Sequence, residues 1–173
     1  MTYCMVCGSK LDSQYLENEG DIPYCPDCAS FRFPIFSTAV SMIVLNQQLD
    51  KVLLIQQYQK QDYILVAGYI NKGENAEAAV SREIAEEVGL SVSHIQANHS
   101  EYYAPSNTLM LNYVCVASQE SATLTDEVDA ATWFGLAEAR QAIKANSLAK
   151  RFLESFLDKH ELGVALALAT FPS

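Results

Sequence analysis

Glu74, Glu83, Glu86 and Glu87, four of five glutamates in one short stretch, lie within GYINKGENAEAAVSREIAEEVGL from Gly68 to Leu90. At about 100° of turn per helical residue, Glu83, Glu86 and Glu87 share one face, at the rim of an apolar stripe of Ala76, Val80, Ile84 and Val88. Three carboxylates at positions i, i+3 and i+4 repel one another, and nearness to a protein surface worsens the repulsion, so the arrangement implies a compensating cation. Donors that are all oxygen select a hard ion, Mg²⁺ or Mn²⁺. Glu74, just before the helix, and Arg82, two turns into it, read as an ion pair that pins the preceding loop and fixes Gly68 near the cation. Gly68, lacking a side chain, lets backbone oxygens approach closely. The competing reading is a solvated acidic helix face, and the order of the residues decides between the two.

Cys4, Cys7, Cys25 and Cys28 make two Cys-x-x-Cys pairs separated by the 17 residues from Gly8 to Tyr24. Two tight turns, with Gly8 and Pro26 supplying turn chemistry, would set four thiolates at the corners of a closed, structural Zn²⁺ site. A ribbon of about 28 residues buries too little apolar surface to fold alone, so metal binding would contribute much of its folding free energy. A redox dithiol or a pair of disulfides is the alternative, disfavoured by two pairs at this spacing in a chain whose first residues, Met1 to Gly8, show no export signal. Cys115 alternates with Leu109, Leu111 and Tyr113 on the apolar face of an expected strand, where a lone thiol packs as a small hydrophobe.

The elements that must position these groups follow from patterning. Apolar, β-branched runs predict strands over Thr38–Leu45, Val52–Tyr58, Tyr63–Ala67, Val92–Gln96, Thr108–Ala117 and Ala131–Phe134. Helices are expected over Asn75–Val88, ended by Gly89, and over Leu136–Lys144 and Leu148–His160, the last with a core-facing stripe of Leu148, Phe152, Leu153, Phe156 and Leu157. The sum is an α+β chain, a mixed sheet covered by helices. A boundary near Phe36 divides residues 1–36, a small zinc ribbon with an aromatic connector, from residues 37–173.

Half of the 173 residues are hydrophobic and 18% charged, which excludes a disordered chain. The best apolar run, Gly163 to Ala169, falls far short of the roughly 20 residues a membrane helix needs, and the chain is expected in the cytoplasm. Its net charge of −10 repels duplex nucleic acid. The ribbon region adds no basic footprint, since Lys10 and Arg32 face five acidic residues. The apolar run Val164–Ala169 implies burial against the core or a second subunit.

The segment from Gly68 matches the Nudix box throughout: Gly, five residues, Glu74, seven residues, Arg82, Glu83, aliphatic Ile84, one residue, Glu86, Glu87, one residue, Gly89 and aliphatic Leu90. The chain therefore resembles the Nudix hydrolases, and with its zinc ribbon in front it resembles the NADH pyrophosphatase branch over nearly its whole length, without that branch's large N-terminal domain. The resemblance implies an α/β/α sandwich and a metal-dependent pyrophosphohydrolase. Its substrate would be a small nucleoside diphosphate linked to another moiety, a dinucleotide such as NAD(H) or a related compound: ADP-ribose, FAD or NAD-capped RNA. It implies Mg²⁺ or Mn²⁺ at Ala67, Gly68, Glu83, Glu86, Glu87 and Glu127, with catalysis by Glu83, Glu86 and Glu87, the last favoured to orient or deprotonate water. Substrate contacts would come from Phe33, from Glu101, Tyr102, Tyr103, Ala104, Pro105, Ser106, Asn107 and Thr108, and from Ala149. That branch carries Ser-Gln-Pro-Trp-Pro-Phe-Pro where this chain has Ser100 to Ser106, so the frame is kept while the Gln, the Trp and the prolines are replaced. A homodimer is implied by the same resemblance. The alternative is a non-catalytic module that senses a nucleotide and signals to a protein partner, which the intact box argues against.

Overall fold

The computed structural model of the chain describes residues 1–161. The apolar run 163–169 lies outside them. Two compact units are present, Met1–Phe36 and the part that begins at Ser37.

The first unit is a three-stranded antiparallel sheet, β1 (Asp12–Leu16), β2 (Gly20–Cys25) and β3 (Ser30–Phe31), with β2 in the middle. Its tight turns are closed by backbone bonds, Gly8 N–H to the Cys4 carbonyl at 2.8 Å and Ala29 N–H to the Pro26 carbonyl at 3.3 Å. Gly8 takes φ +78°, open to glycine at no steric cost.

The second unit is built on a mixed sheet of β4 (Ser37–Leu45), β5 (Lys51–Gln57), β6 (Val66–Tyr69), β7 (Val92–Tyr103), β8 (Thr108–Ala117) and β9 (Val128–Gly135). The order is β7-β8-β4-β5-β9, with β4 parallel to β8, the other pairs antiparallel, and β6 beside the first half of β4. Helices cover both faces. Strand alternation explains why: Val40, Met42 and Val44 of β4 point to one side and Ile43 and Leu45 to the other, all fully buried. The first face packs against α1 (Ala76–Val88) through Val80, Ile84 and Val88. The second packs against α2 (Leu136–Ala142) and α3 (Leu148–Glu161), where Phe152, Leu153, Phe156 and Leu157 are buried as the stripe requires. Cys115 is wholly buried in the first core, and burial pushes its thiol up to about 12. Among the described residues no helix is long and apolar enough to cross a membrane.

Three strands differ from the patterning. The strand expected over Tyr63–Ala67 is displaced to Val66–Tyr69, because Tyr63 and Ile64 make single bridges to Ile143 and Ile55 before the chain changes partner to β4. β7 continues to Tyr103, seven residues beyond the expected end. It is an edge strand with two register shifts, and its exposed polar residues hide the period of two. β9 begins at Val128, three residues earlier than the apolar run suggests.

Candidate active site

α1 is delimited by its own sequence. Asn75 caps it, its side chain accepting from Ala78 N–H at 2.7 Å, and Gly89 ends it at φ +65° with its N–H on the Ala85 carbonyl. The helix sets its carboxylates in three environments: Glu87 is 6% exposed, Glu83 sits partly buried, and Glu86 lies in the open. Gln57, the last residue of β5, donates to Glu87 Oε2 at 3.1 Å. Burial, then the neighbouring charge of Glu83, raises the Glu87 carboxyl to about 7.

Arg82 organises the acidic end. Its Nε and Nη2 donate to the two oxygens of Glu74 at 2.7 and 2.9 Å, and Nη2 also reaches the Tyr69 carbonyl at 3.0 Å. Its Nη1 donates to Glu83 Oε1 at 2.8 Å and Glu86 Oε2 at 2.9 Å. The expected Glu74–Arg82 pair is thus a two-point fork that ties the loop before the helix to the strand leading into it. The guanidinium holds Glu74 well below its ordinary range, at about 2.

Gly68 has a sterically enforced role. A Cβ there would lie 1.9 Å from the Glu83 Cδ, so the missing side chain is the space that the Glu83 carboxylate fills. The sequence suggested that this glycine lets backbone oxygens approach a cation; the structure adds that it makes room for a side chain.

Two hollows flank this point. Glu83, Glu86, Glu87, Thr125, Asp126 and Glu127 line one of about 390 Å³, which brings Glu127 to the carboxylates of α1 across 40 residues of chain. Ala67, Gly68, Tyr69, Ser106, Thr108 and Met110 line part of the other, of about 190 Å³. From the stretch Glu101–Thr108, Ser106 and Thr108 therefore stand beside Gly68. Glu101 instead forms an ion pair with Arg151 of α3, and the Tyr102 hydroxyl donates to Asn107 Oδ1 at 2.6 Å. Tyr103 is exposed, and Ala104–Ser106 form a short 3₁₀ turn that Asn107 ends at φ +50°. Ala149 packs against the second core face. Phe33 belongs to the first unit and is half-exposed. Gln57, Tyr69, Thr125 and Asp126 are site residues that the sequence did not single out. Asp126 had a signal in its neighbour Glu127, while Gln57 had none.

In the first unit the sulfurs of Cys4, Cys7, Cys25 and Cys28 all lie within 4.8 Å of one another, with Cys4 to Cys28 at 3.9 Å and Cys7 to Cys25 at 3.5 Å. Arg32 Nε donates to Cys4 Sγ at 3.2 Å. The Cys7 backbone N–H, helped by Arg32, brings Cys4 down to about 6, while hydrogen bonds shared with Cys7 and Cys25 push Cys28 up to about 12. Four sulfurs this close could hold one metal ion between them as thiolates. Among the described residues this is the one group of three or more His, Cys, Asp or Glu side chains with ligand atoms at such mutual distances. The glutamates share a hollow without reaching them.

The NUDIX domain family model matches residues 36–156. A relative named NAD-capped RNA hydrolase NudC, from Pseudomonas aeruginosa, is 30% identical over 158 residues, covering 90% of this chain and 55% of its own. The protein of the same name from Vibrio atlanticus is 26% identical over 163 residues, covering 91% and 58%. The chain thus spans little more than half the length of these relatives. Among solved structures, a NUDIX hydrolase from Nitrosomonas europaea superposes with a TM-score of 0.67 at 19% identity, covering 94% of each chain. The NUDIX domain of Shewanella oneidensis NrtR, solved with ADP ribose, gives 0.62 at 19% identity, covering 79% of this chain and 94% of that one. These likenesses carry the fold.

Proposed function

This chain belongs to the Nudix family, and on that premise we propose that it is a metal-dependent pyrophosphohydrolase acting on a nucleoside diphosphate linked to another moiety. The observation that carries the reading is the setting of Glu87: a buried carboxylate whose hydrogen-bond donor is a neutral amide and whose charged neighbours are Glu83, Glu127 and Glu86. Such a carboxylate calls for a cation from solution. Glu83, Glu86 and Glu87, with Glu127 and the Ala67 or Gly68 carbonyl, would hold Mg²⁺ or Mn²⁺. When bound, the metal neutralises phosphate charge and sharpens the acidity of water.

The chain's own groups do the rest. Arg82 fixes Glu83 and Glu86 through Nη1 and locks the loop through Glu74, so the carboxylates need little reorganisation when the diphosphate arrives. Glu87 orients the attacking water and takes its proton. The water oxygen bonds to one phosphorus, the bridging P–O bond breaks, and the departing phosphate carries away the bridging oxygen. Around the second hollow Tyr69 offers an aromatic face to the remainder of the substrate and Ser106 a hydroxyl, which the buried Thr108 holds in place. The four cysteines would hold a structural Zn²⁺, and family resemblance supports a homodimer.

The relatives' name favours NAD-type dinucleotides, free or as RNA caps, and the substituted segment Ser100–Ser106 makes the choice among them this chain's own. The test is hydrolysis of NADH, NAD⁺, ADP-ribose, FAD and NAD-capped RNA, with Mg²⁺ and Mn²⁺ separately. Preference for one of them is expected, with Glu83→Gln and Glu87→Gln each lowering kcat by orders of magnitude in folded protein. Near-full activity in both variants would sink the assignment.

A further inference from the structure

We propose that Gln57 is a positioning residue for Glu87, fixing which carboxylate oxygen faces the cation. The inference rests on the metal-binding reading above. Gln57 stands outside the Nudix box, 30 residues from its partner and on a different element. Its Nε2 donates to Glu87 Oε2 at 3.1 Å, and against the ionised carboxylate that would bind a metal the opposite amide orientation would set two oxygens against each other.

The backbone is built to hold the side chain there. β5 pairs with β9 in regular register from Lys51 opposite Gly135 to Gln56 opposite Ala130, and then Gln57 stands opposite Val128, leaving Asp129 as the extra residue of a bulge. Bulges re-aim the side chains next to them. Asp129 is tied down in turn, its carboxylate accepting from the Gln59 backbone N–H at 2.6 Å. Directly after Gln57, both Tyr58 and Gln59 take left-handed backbone, φ +57° and +58°. Neither is glycine, and two such residues in succession are uncommon. Together the bulge and the turn set the end of β5 against the last turn of α1, whose exit is held by Thr123 N–H on the Val88 carbonyl at 2.9 Å.

The choice of residue type is informative as well. A lysine or arginine at this position would neutralise Glu87 and compete with a metal ion. An amide donates one hydrogen bond, selects one rotamer and leaves the charge in place. With Oε2 engaged by the amide, Oε1 would be the oxygen left to hold a cation. Partners of this kind around metal ligands typically change affinity or activity by roughly 10- to 100-fold when removed.

The test uses the whole 173-residue chain with zinc supplied and Mn²⁺ alone as the probe, following the electron paramagnetic resonance of the free ion, with thermal unfolding of each variant before Mn²⁺ is added. Gln57→Met is close in size and lacks the donor; Gln57→Asn keeps the amide but is one carbon short. Both are expected to weaken Mn²⁺ binding about tenfold or more, with melting temperatures close to the parent's. In a Glu87→Gln background Gln57→Met is expected to add nothing, because its effect passes through that carboxylate. Parent-like Mn²⁺ binding in both Gln57 variants, or an equal loss with and without the Glu87 carboxylate, overturns the proposal while leaving the function standing. Unchanged Mn²⁺ binding in Glu87→Gln alone overturns the metal-binding reading, and this inference with it.

Discussion

Single atoms decide much at this site. The Glu83 carboxylate lies where a Cβ of residue 68 would stand, so Gly68→Ala is expected to push that carboxylate aside. The displaced group is the free end of a flexible side chain, so the fold survives and the damage falls on activity. The expected outcome is a loss of at least about 100-fold in kcat, since a displacement of about 1 Å at a site can cost that much, with the melting temperature nearly unchanged. Parallel kinetics and calorimetry check it, and a parent-like kcat would mean that the glycine is not needed to seat Glu83. Glu74 supports a prediction about acid stability. Its carboxyl is depressed from 4.5 to about 2 by Arg82, so the folded state binds fewer protons than the unfolded one in that interval. Its contribution is complete above pH 4.5 and fades as the pH falls towards 2. Glu74→Gln should therefore flatten the pH dependence of the urea midpoint between those values, and an unaltered slope would contradict the pairing.

At the scale of elements, α1 is the part on which the site depends, and its two ends are specified locally. Asn75→Ala removes the cap on Ala78 N–H and is expected to cost about 1 kcal/mol in denaturant unfolding. Gly89→Ala should cost more. The residue sits at φ +65°, and a Cβ there would come within 2.9 Å of the Thr123 carbonyl oxygen, backbone that cannot swing away. A loss of about 2 kcal/mol is expected from left-handed strain alone. A loss below that of Asn75→Ala would mean that the helix end relaxes freely. The Gly89 end was legible in the sequence, because such a signal acts through bonds only a few residues long, whereas Asn75, counted there as the first helical residue, is the cap. The course of β7 was not legible. Its register shifts and solvent-facing residues erase the alternation that made β8 readable to the residue.

For the molecule as a whole, a metal held by the sulfur cluster would make the first unit the part most exposed to its loss. One zinc per chain by elemental analysis is expected. Stripping it should accelerate amide exchange at positions bonded around the cluster, such as Cys4, Gly8 and Arg32 N–H, with β4 and β8 as the internal reference. Unchanged exchange in the stripped protein would assign the cysteines another role. The sequence by itself determined the two cysteine turns, the box from Gly68 to Leu90 with its Glu74–Arg82 pair, and most of the strands and helices of the second unit. Each of these is written in residue types a few positions apart, and short-range spacing survives without knowledge of the fold. The tertiary structure alone decided what those groups meet: Gln57 on Glu87, Glu83 in the space left by Gly68, Glu127 beside α1, Ser106 and Thr108 beside Gly68, and Arg151 on Glu101. Those contacts join residues 15 to 50 positions apart. They arise from strand register, a bulge and the crossing of a helix over a sheet, which depend on the summed packing of two cores rather than on any local pattern.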